Sequence, residues 1–354
     1  MRTQRATNTS RMRLIAAAAL PVIAAVLAAS IWLTRDDNAT QDADLTPVTL
    51  FMSYIPSVQF APVYVADHRG YFADEGIAVT FEHSLNEADG IDRLAVNDLQ
   101  FGLASGEQVL LARANGRPLV YVFAWYHRFP VGIAAPKQLG ITHPEDLAGR
   151  VVGIPAIYGA SYIGLRALLD AAGLTEADLA ELRAIGYTAP ENICAGEVEA
   201  AVVYVVNEPL AIESQCTPVD VIEVSDYADL VANGLLTNEQ TIRDHPELVA
   251  GMVRALKRGL EDTLQDPEAA FTISVEHYVR DLPAEQYPVQ RQVLLNSIEL
   301  WRAETLGLTD PVAWERTQQI LIDAGLIGAP LDDLAAAYDM HFVREASARA
   351  SSGQ

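Results

Sequence analysis

The chain has 354 residues, 50% hydrophobic and 20% charged, with two cysteines, a composition that excludes a disordered tail, a collagen-like repeat and a cysteine-stapled scaffold. Lys and Arg number 24 against 47 Asp and Glu, a formal charge of −23, so nucleic acid is not an expected partner, because phosphate binding needs a basic surface. The length suits two lobes, each large enough to bury its own core.

The charge is unevenly placed. Residues 1–13 carry four arginines and no acid, a basic cytoplasmic N-terminus, and the remainder holds 20 basic against 47 acidic groups, or −27. Residues 14–33 are 20 positions without a charge, about the length of helix that crosses a bilayer core of ~30 Å. With its basic flank held in the cytoplasm, this run reads as a single-pass anchor with the body on the extracytoplasmic side. A cleaved signal is the alternative: Ala28 and Ser30 permit cleavage, although the run ends in Ile31, Trp32 and Leu33 and exceeds the roughly 7–15 residues usual for a signal. A buried core helix is the bland reading. Residues 34–46, overlapping the segment RDDNATQDADLTP (35–47), form a polar, acidic linker.

From there, strands and helices alternate. The pattern predicts strands at 48–52, 77–81, 100–104 and 119–124, with helices near 60–67, 88–97 and 107–114. A second series follows: strands at 131–135, 151–154, 182–187, 200–206 and 219–224, and helices at 161–172 and 189–194. Thr142 with Glu145 reads as a capping box. Beyond a short strand in NGLLTNEQ, Leu248, Met252, Leu256 and Leu260 mark one face of a long amphipathic helix. More helix follows, with Asp266-Pro267 and Asp310-Pro311 as cap pairs. The class is therefore α/β with mainly parallel sheets. The expected division is 47–127 for the first part of lobe 1, 128–224 for lobe 2, and 225–354 for the second part of lobe 1 with a helical C-terminus.

Cys194 and Cys216 can pair in an oxidising compartment, or remain two buried free thiols, and their spacing does not decide. Neither has the spacing of a zinc or redox motif. The seven histidines are scattered and read as surface or capping residues. Tyr64, Tyr71, Phe72, Trp301 and Trp314 read as core and turn packing.

Four segments carry a resemblance: SYIPSVQFAPVYVADHRGYFADEGIAV (53–79), GLASGEQVLLARANGRPLVYV (102–122), GEVEAAVVY (196–204) and TNEQTIRDHPELVAGMVRAL (237–256). With the exported α/β body they resemble the periplasmic solute-binding proteins of ABC importers that are related to thiamine pyrimidine synthase. The resemblance covers roughly residues 47–340. It implies a two-lobed, type II periplasmic-binding-protein-like fold with a ligand cleft, and partners in an ABC permease and its ATPase. Family members deliver taurine-like sulfonates, thiamine precursors, riboflavin or other small organics. The synthases of the family carry a cysteine- and histidine-rich motif that this chain lacks, so no enzyme, cofactor or metal is expected.

Ligands in open α/β sheets sit beyond the carboxyl ends of the strands. The loops at those ends give the candidate contacts: Tyr54 and Gln59 after the first strand, Glu107 after the third, Trp125 and Tyr126 after the fourth. The second lobe adds Tyr158, Ser161 and Tyr162, then Tyr187, and then Tyr204, Asn207 and Glu208. The set is aromatic and poor in cations, with Arg128 alone near it. A planar heterocycle that stacks and hydrogen-bonds suits it better than a strong anion. Within the family, that leaves riboflavin first and a thiamine pyrimidine precursor second.

Overall fold

The computed structural model describes residues 45–352. The apolar run at 14–33 and the linker before residue 45 lie outside the described residues, and among those described no helix is long and apolar enough to cross a membrane.

Ten strands form two five-stranded sheets. The first contains β1 (Thr46–Met52), β2 (Ile77–His83), β3 (Phe101–Ala104), β4 (Leu119–Ala124) and, arriving much later in the chain, β10 (Gly234–Asn238), in the order β2-β1-β3-β10-β4. The second contains β5 (Val131–Pro136), β6 (Val151–Ile154), β7 (Glu181–Ala184), β8 (Ala200–Tyr204) and β9 (Val219–Glu223), in the order β7-β6-β8-β5-β9. In each sheet four strands point one way and a single strand, β10 or β5, runs against its two neighbours. Strands β3, β4 and β5 are buried along their whole length. That is why they read as unbroken apolar runs rather than as alternating ones.

Two segments cross between the sheets, residues 125–130 and 224–233. They bond to each other: the amides of Trp125 and Tyr126 both donate to the Asn233 carbonyl, at 3.2 and 3.0 Å. Arg128, the cation beside the aromatic loop, is committed here. It donates to Glu223 and Ser225, each at 2.9 Å, and lies 3.5 Å from Asp226.

The C-terminal part packs on the first sheet. The amphipathic helix Pro246–Gln265 buries Met252, Leu256 and Leu260 and lies along the helix Ala61–His68. The Asp339 amide donates to the Tyr121 carbonyl at 2.8 Å, beside β4. Tyr64, Phe72, Trp301 and Trp314 are core residues. Asp266 and Asp310 cap their helices with proline at the next position.

The structure corrects several sequence expectations. The strand expected at 182–187 is Glu181–Ala184, because Gly186 takes a positive φ of 62° and ends it. The capping box at Thr142 is shifted by one residue, since the Asp146 carboxylate accepts from the amides of Thr142 and His143 ahead of the turn Pro144–Leu147. His83 and His127 are not surface residues. His83 bridges the Tyr54 carbonyl (2.9 Å) and the Tyr64 hydroxyl (3.4 Å), and partly buried His127 accepts from the Gly307 amide at 3.3 Å. Cys194 and Cys216 form a disulfide joining the ends of helices Ala189–Ala195 and Glu208–Gln215, with both cysteines exposed.

Candidate functional site

A pocket opens where the carboxyl ends of both sheets face one another, holding about 860 Å³ of empty space with its solvent-filled mouth included. From the first sheet come Ser53, Tyr54, Gln59 and Phe60 after β1, Leu85 and Glu87 after β2, and Ser105 after β3. The second supplies Pro155 and Ala156 after β6, the helix start Tyr158 to Ser161, Tyr187 after β7, and Tyr204, Asn207 and Glu208 at and after β8. The crossing segments close the back with Trp125, Tyr126 and Asn233.

Ten of the twelve sequence-derived candidates therefore line one pocket: Tyr54, Gln59, Trp125, Tyr126, Tyr158, Ser161, Tyr187, Tyr204, Asn207 and Glu208. Glu107 and Tyr162 do not line it. Glu107 lies behind Ser105, fully buried. Tyr162 sits one position past Ser161 on the helix Gly159–Ala171, turned about 100° away by the helical period. Its hydroxyl donates to Glu176 at 2.5 Å, and Arg166 donates to the same carboxylate at 3.1 Å.

Phe60, Leu85, Glu87, Pro155, Ala156 and Asn233 were not among the candidates. Leu85, Glu87, Pro155 and Ala156 follow the ends of β2 and β6, so the strand-end rule could have reached them. Asn233 precedes the antiparallel β10, whose entrance rather than exit faces the cleft, and the rule has no purchase there.

The polar groups are held by bonds to the scaffold. Ser105 donates to Glu87 Oε1 from its amide and its hydroxyl, both at 2.8 Å. The Tyr204 amide donates to Glu208 Oε2 at 3.0 Å and the Tyr204 hydroxyl to Asn233 Oδ1 at 3.3 Å. Ser57 accepts from the Gln59 side chain at 3.3 Å. Burial raises all three nearby carboxyls. That of Glu208 is pushed up to about 7 and that of Glu107 to about 8, with Glu87 adding to the burial effect on Glu107. Glu87 is raised for the same first cause.

Rings dominate the remainder. Trp125 stacks against Phe60 (centroids 5.2 Å) and Trp301 (5.9 Å) and meets Tyr126 edge-on (5.0 Å). With three rings packed on it, Trp125 lines the pocket with a buried indole whose N–H has no protein acceptor. At the mouth, Tyr54 and Tyr187 meet edge to face at 5.6 Å, bringing the two sheets' loops together. Tyr158 and Tyr187 are 56% and 48% exposed, which places them at the rim. No Lys, Arg or His is among the described residues that line the pocket. Such a wall can stack a flat ring, donate one hydrogen bond from an indole and accept several at carboxylates and hydroxyls.

Known proteins match this chain along most of its length. The riboflavin-binding protein RibY of Chloroflexus aurantiacus is 40% identical over 296 residues, covering 81% of this chain and 84% of that protein. A formylaminopyrimidine-binding protein of Halalkalibacterium halodurans is 28% identical over 247 residues, 68% and 73% of the two chains. Among solved structures, the periplasmic aliphatic sulphonate-binding protein SsuA of Escherichia coli superposes with a TM-score of 0.67 at 16% identity, over 82% of this chain and 91% of that one. The two-sheet architecture is therefore the periplasmic-binding-protein fold. A family model described as NMT1/THI5 like matches residues 57–270, and on that match and the relative at 40% identity the chain belongs to the NMT1/THI5-like family.

Proposed function

We propose that this chain is the solute-binding subunit of an ABC importer and that it captures riboflavin by closing its two lobes around the flavin ring. The body works on the extracytoplasmic side, held by residues 14–33 as an anchor or freed by their cleavage. It binds its ligand without transforming it, and a permease with its ATPase completes the importer.

The observation that carries this reading is the wall of the pocket: tyrosines, an indole with an unpartnered N–H, and carboxylates, with no cation among its described residues. A flavin offers a flat ring to the tyrosines, carbonyl acceptors to the indole, and ribityl hydroxyls to the carboxylates. The similarity to RibY supports riboflavin as the ligand. The disulfide supports export, because such bonds persist in oxidising compartments. A pyrimidine precursor of thiamine is the second reading, favoured by the likeness to the formylaminopyrimidine-binding protein.

Titration with riboflavin tests the reading. Stacking is expected to quench flavin fluorescence, and saturation to raise the melting temperature. Stabilisation by a pyrimidine without any flavin quenching replaces the first reading with the second, and silence toward both overturns the two together.

A further inference from the structure

We propose that the pocket is a charge filter in which Glu87 and Glu208, lining it from different lobes, admit the unphosphorylated vitamin and turn away its phosphate ester. The inference rests on the reading of this pocket as a vitamin site.

Phosphate sites are built from guanidinium forks or from the free amides of a helix N-terminus. One such helix end reaches the pocket, the start of Gly159–Ala171, where Gly159, Ala160 and Ser161 lie in the wall. It is already approached by a carboxyl: a methyl group built on Gly159 would lie 3.6 Å from Glu87 Oε2, so Glu87 stands beside this helix start. Glu87 cannot simply swing aside, because Oε1 is held by the amide and hydroxyl of Ser105. On the other wall, Glu208 occupies the first turn of its own helix and is tied to the Tyr204 amide.

No Lys, Arg or His among the described lining residues offsets these acids. Arg128 is bound to Glu223 and Ser225, and Arg166 to Glu176 and the Asp323 carbonyl. A phosphate entering the closed pocket would be buried beside two carboxyls with no cation among the described lining residues to pair it, and specificity of this kind comes from unpaired, desolvated charge rather than from added contacts.

The test measures affinities of the full-length protein for riboflavin and riboflavin 5′-phosphate, and for a hydroxymethylpyrimidine and its phosphate, in the unaltered chain and in Glu87→Gln and Glu208→Gln. In the unaltered chain the phosphate ester is expected to bind at least roughly 100-fold more weakly than its parent, and each substitution to shrink that ratio by about tenfold or more. The ratio is the readout, since both residues also touch the parent ligand, and either variant alone suffices if the other does not fold. A phosphate ester that binds within about tenfold of a parent that does bind overturns the filter and leaves the proposed function standing. A ratio unmoved in both folded variants overturns the assignment to these two carboxylates. Failure of both parents to bind overturns the proposed function and the filter with it.

Discussion

Burying Trp125 while leaving its indole N–H without a protein acceptor is a cost that a ligand carbonyl can offset. Trp125→Phe keeps a six-membered ring against Phe60 and Trp301 but removes the donor with the pyrrole part of the indole, so riboflavin affinity should fall about tenfold or more, of which one buried hydrogen bond accounts for ~1–1.5 kcal/mol; an unchanged dissociation constant would mean that the indole faces no ligand atom. Glu107 makes a pH prediction. Folded, its carboxyl holds a proton up to about pH 8, against an ordinary value of 4.5. The folded state therefore binds more protons between those values, and stability rises as pH falls through that window. His127 acts in the opposite direction, since burial lowers it from 6.5 to about 4 and acid favours the unfolded chain there. The melting temperature should climb from pH 8 toward pH 6.5, and Glu107→Gln should flatten that limb; an identical slope in the variant would remove Glu107 from the account. At this scale the sequence showed which loops hold the site but not the phase of each side chain. Ser161 and Tyr162 are adjacent, and only the start of the helix, two residues earlier than the apolar pattern implied, determines which one turns toward the pocket. Glu87 was missed for a related reason: it sits in the first turn of a helix, where an acid is expected for the helix dipole alone.

The elements that position the pocket are the strand ends, the crossing segments and the helix starts. Gly106 lies where the loop after β3 touches the second crossing: a methyl there would stand 2.2 Å from a Val231 side-chain carbon and 2.7 Å from the Ala232 carbonyl oxygen. The carbonyl cannot yield as a side chain tip can. Gly106→Ala should therefore destabilise the fold by about 1–3 kcal/mol in chemical denaturation, the usual cost of overpacking. At the mouth, the edge contact of Tyr54 with Tyr187 is the direct link between lobes over the ligand's exit. Tyr187→Ala should raise the riboflavin dissociation rate about three- to tenfold, matching the ~0.5–1.5 kcal/mol of an aromatic pair, and stopped-flow fluorescence would read it. The disulfide closes a separation of 22 residues. Replacing both Cys194 and Cys216 with Ser should cost ~3 kcal/mol by the loop-closure argument, seen as a lowered denaturation midpoint. Elements were the most legible level of the sequence. The ten strands were read from apolar runs, whereas caps and strand ends shifted by a few residues where glycines and short turns, rather than periodicity, set the boundary.

On the scale of the whole molecule, two sheets of matching topology face each other across one pocket and share only two chain crossings, so bending at residues 125–130 and 224–233 is the motion the architecture offers for opening and closure. The paired amides of Trp125 and Tyr126 on the Asn233 carbonyl keep the crossings in register while they flex. The reversed strand β10 has a further consequence for how the chain reaches this state. The five strands of the second sheet are contiguous between residues 131 and 223, but the first sheet keeps a vacant slot between β3 and β4 until residues 234–238 arrive. During synthesis the first 124 residues can supply four strands yet cannot complete their own hydrogen-bond ladder, and filling that slot is a long-range pairing of the slow kind. For a polypeptide that must thread a membrane before it folds, as the proposed role requires, the late strand acts as a timer, keeping the leading half unfinished, and therefore threadable, until most of the body has been made.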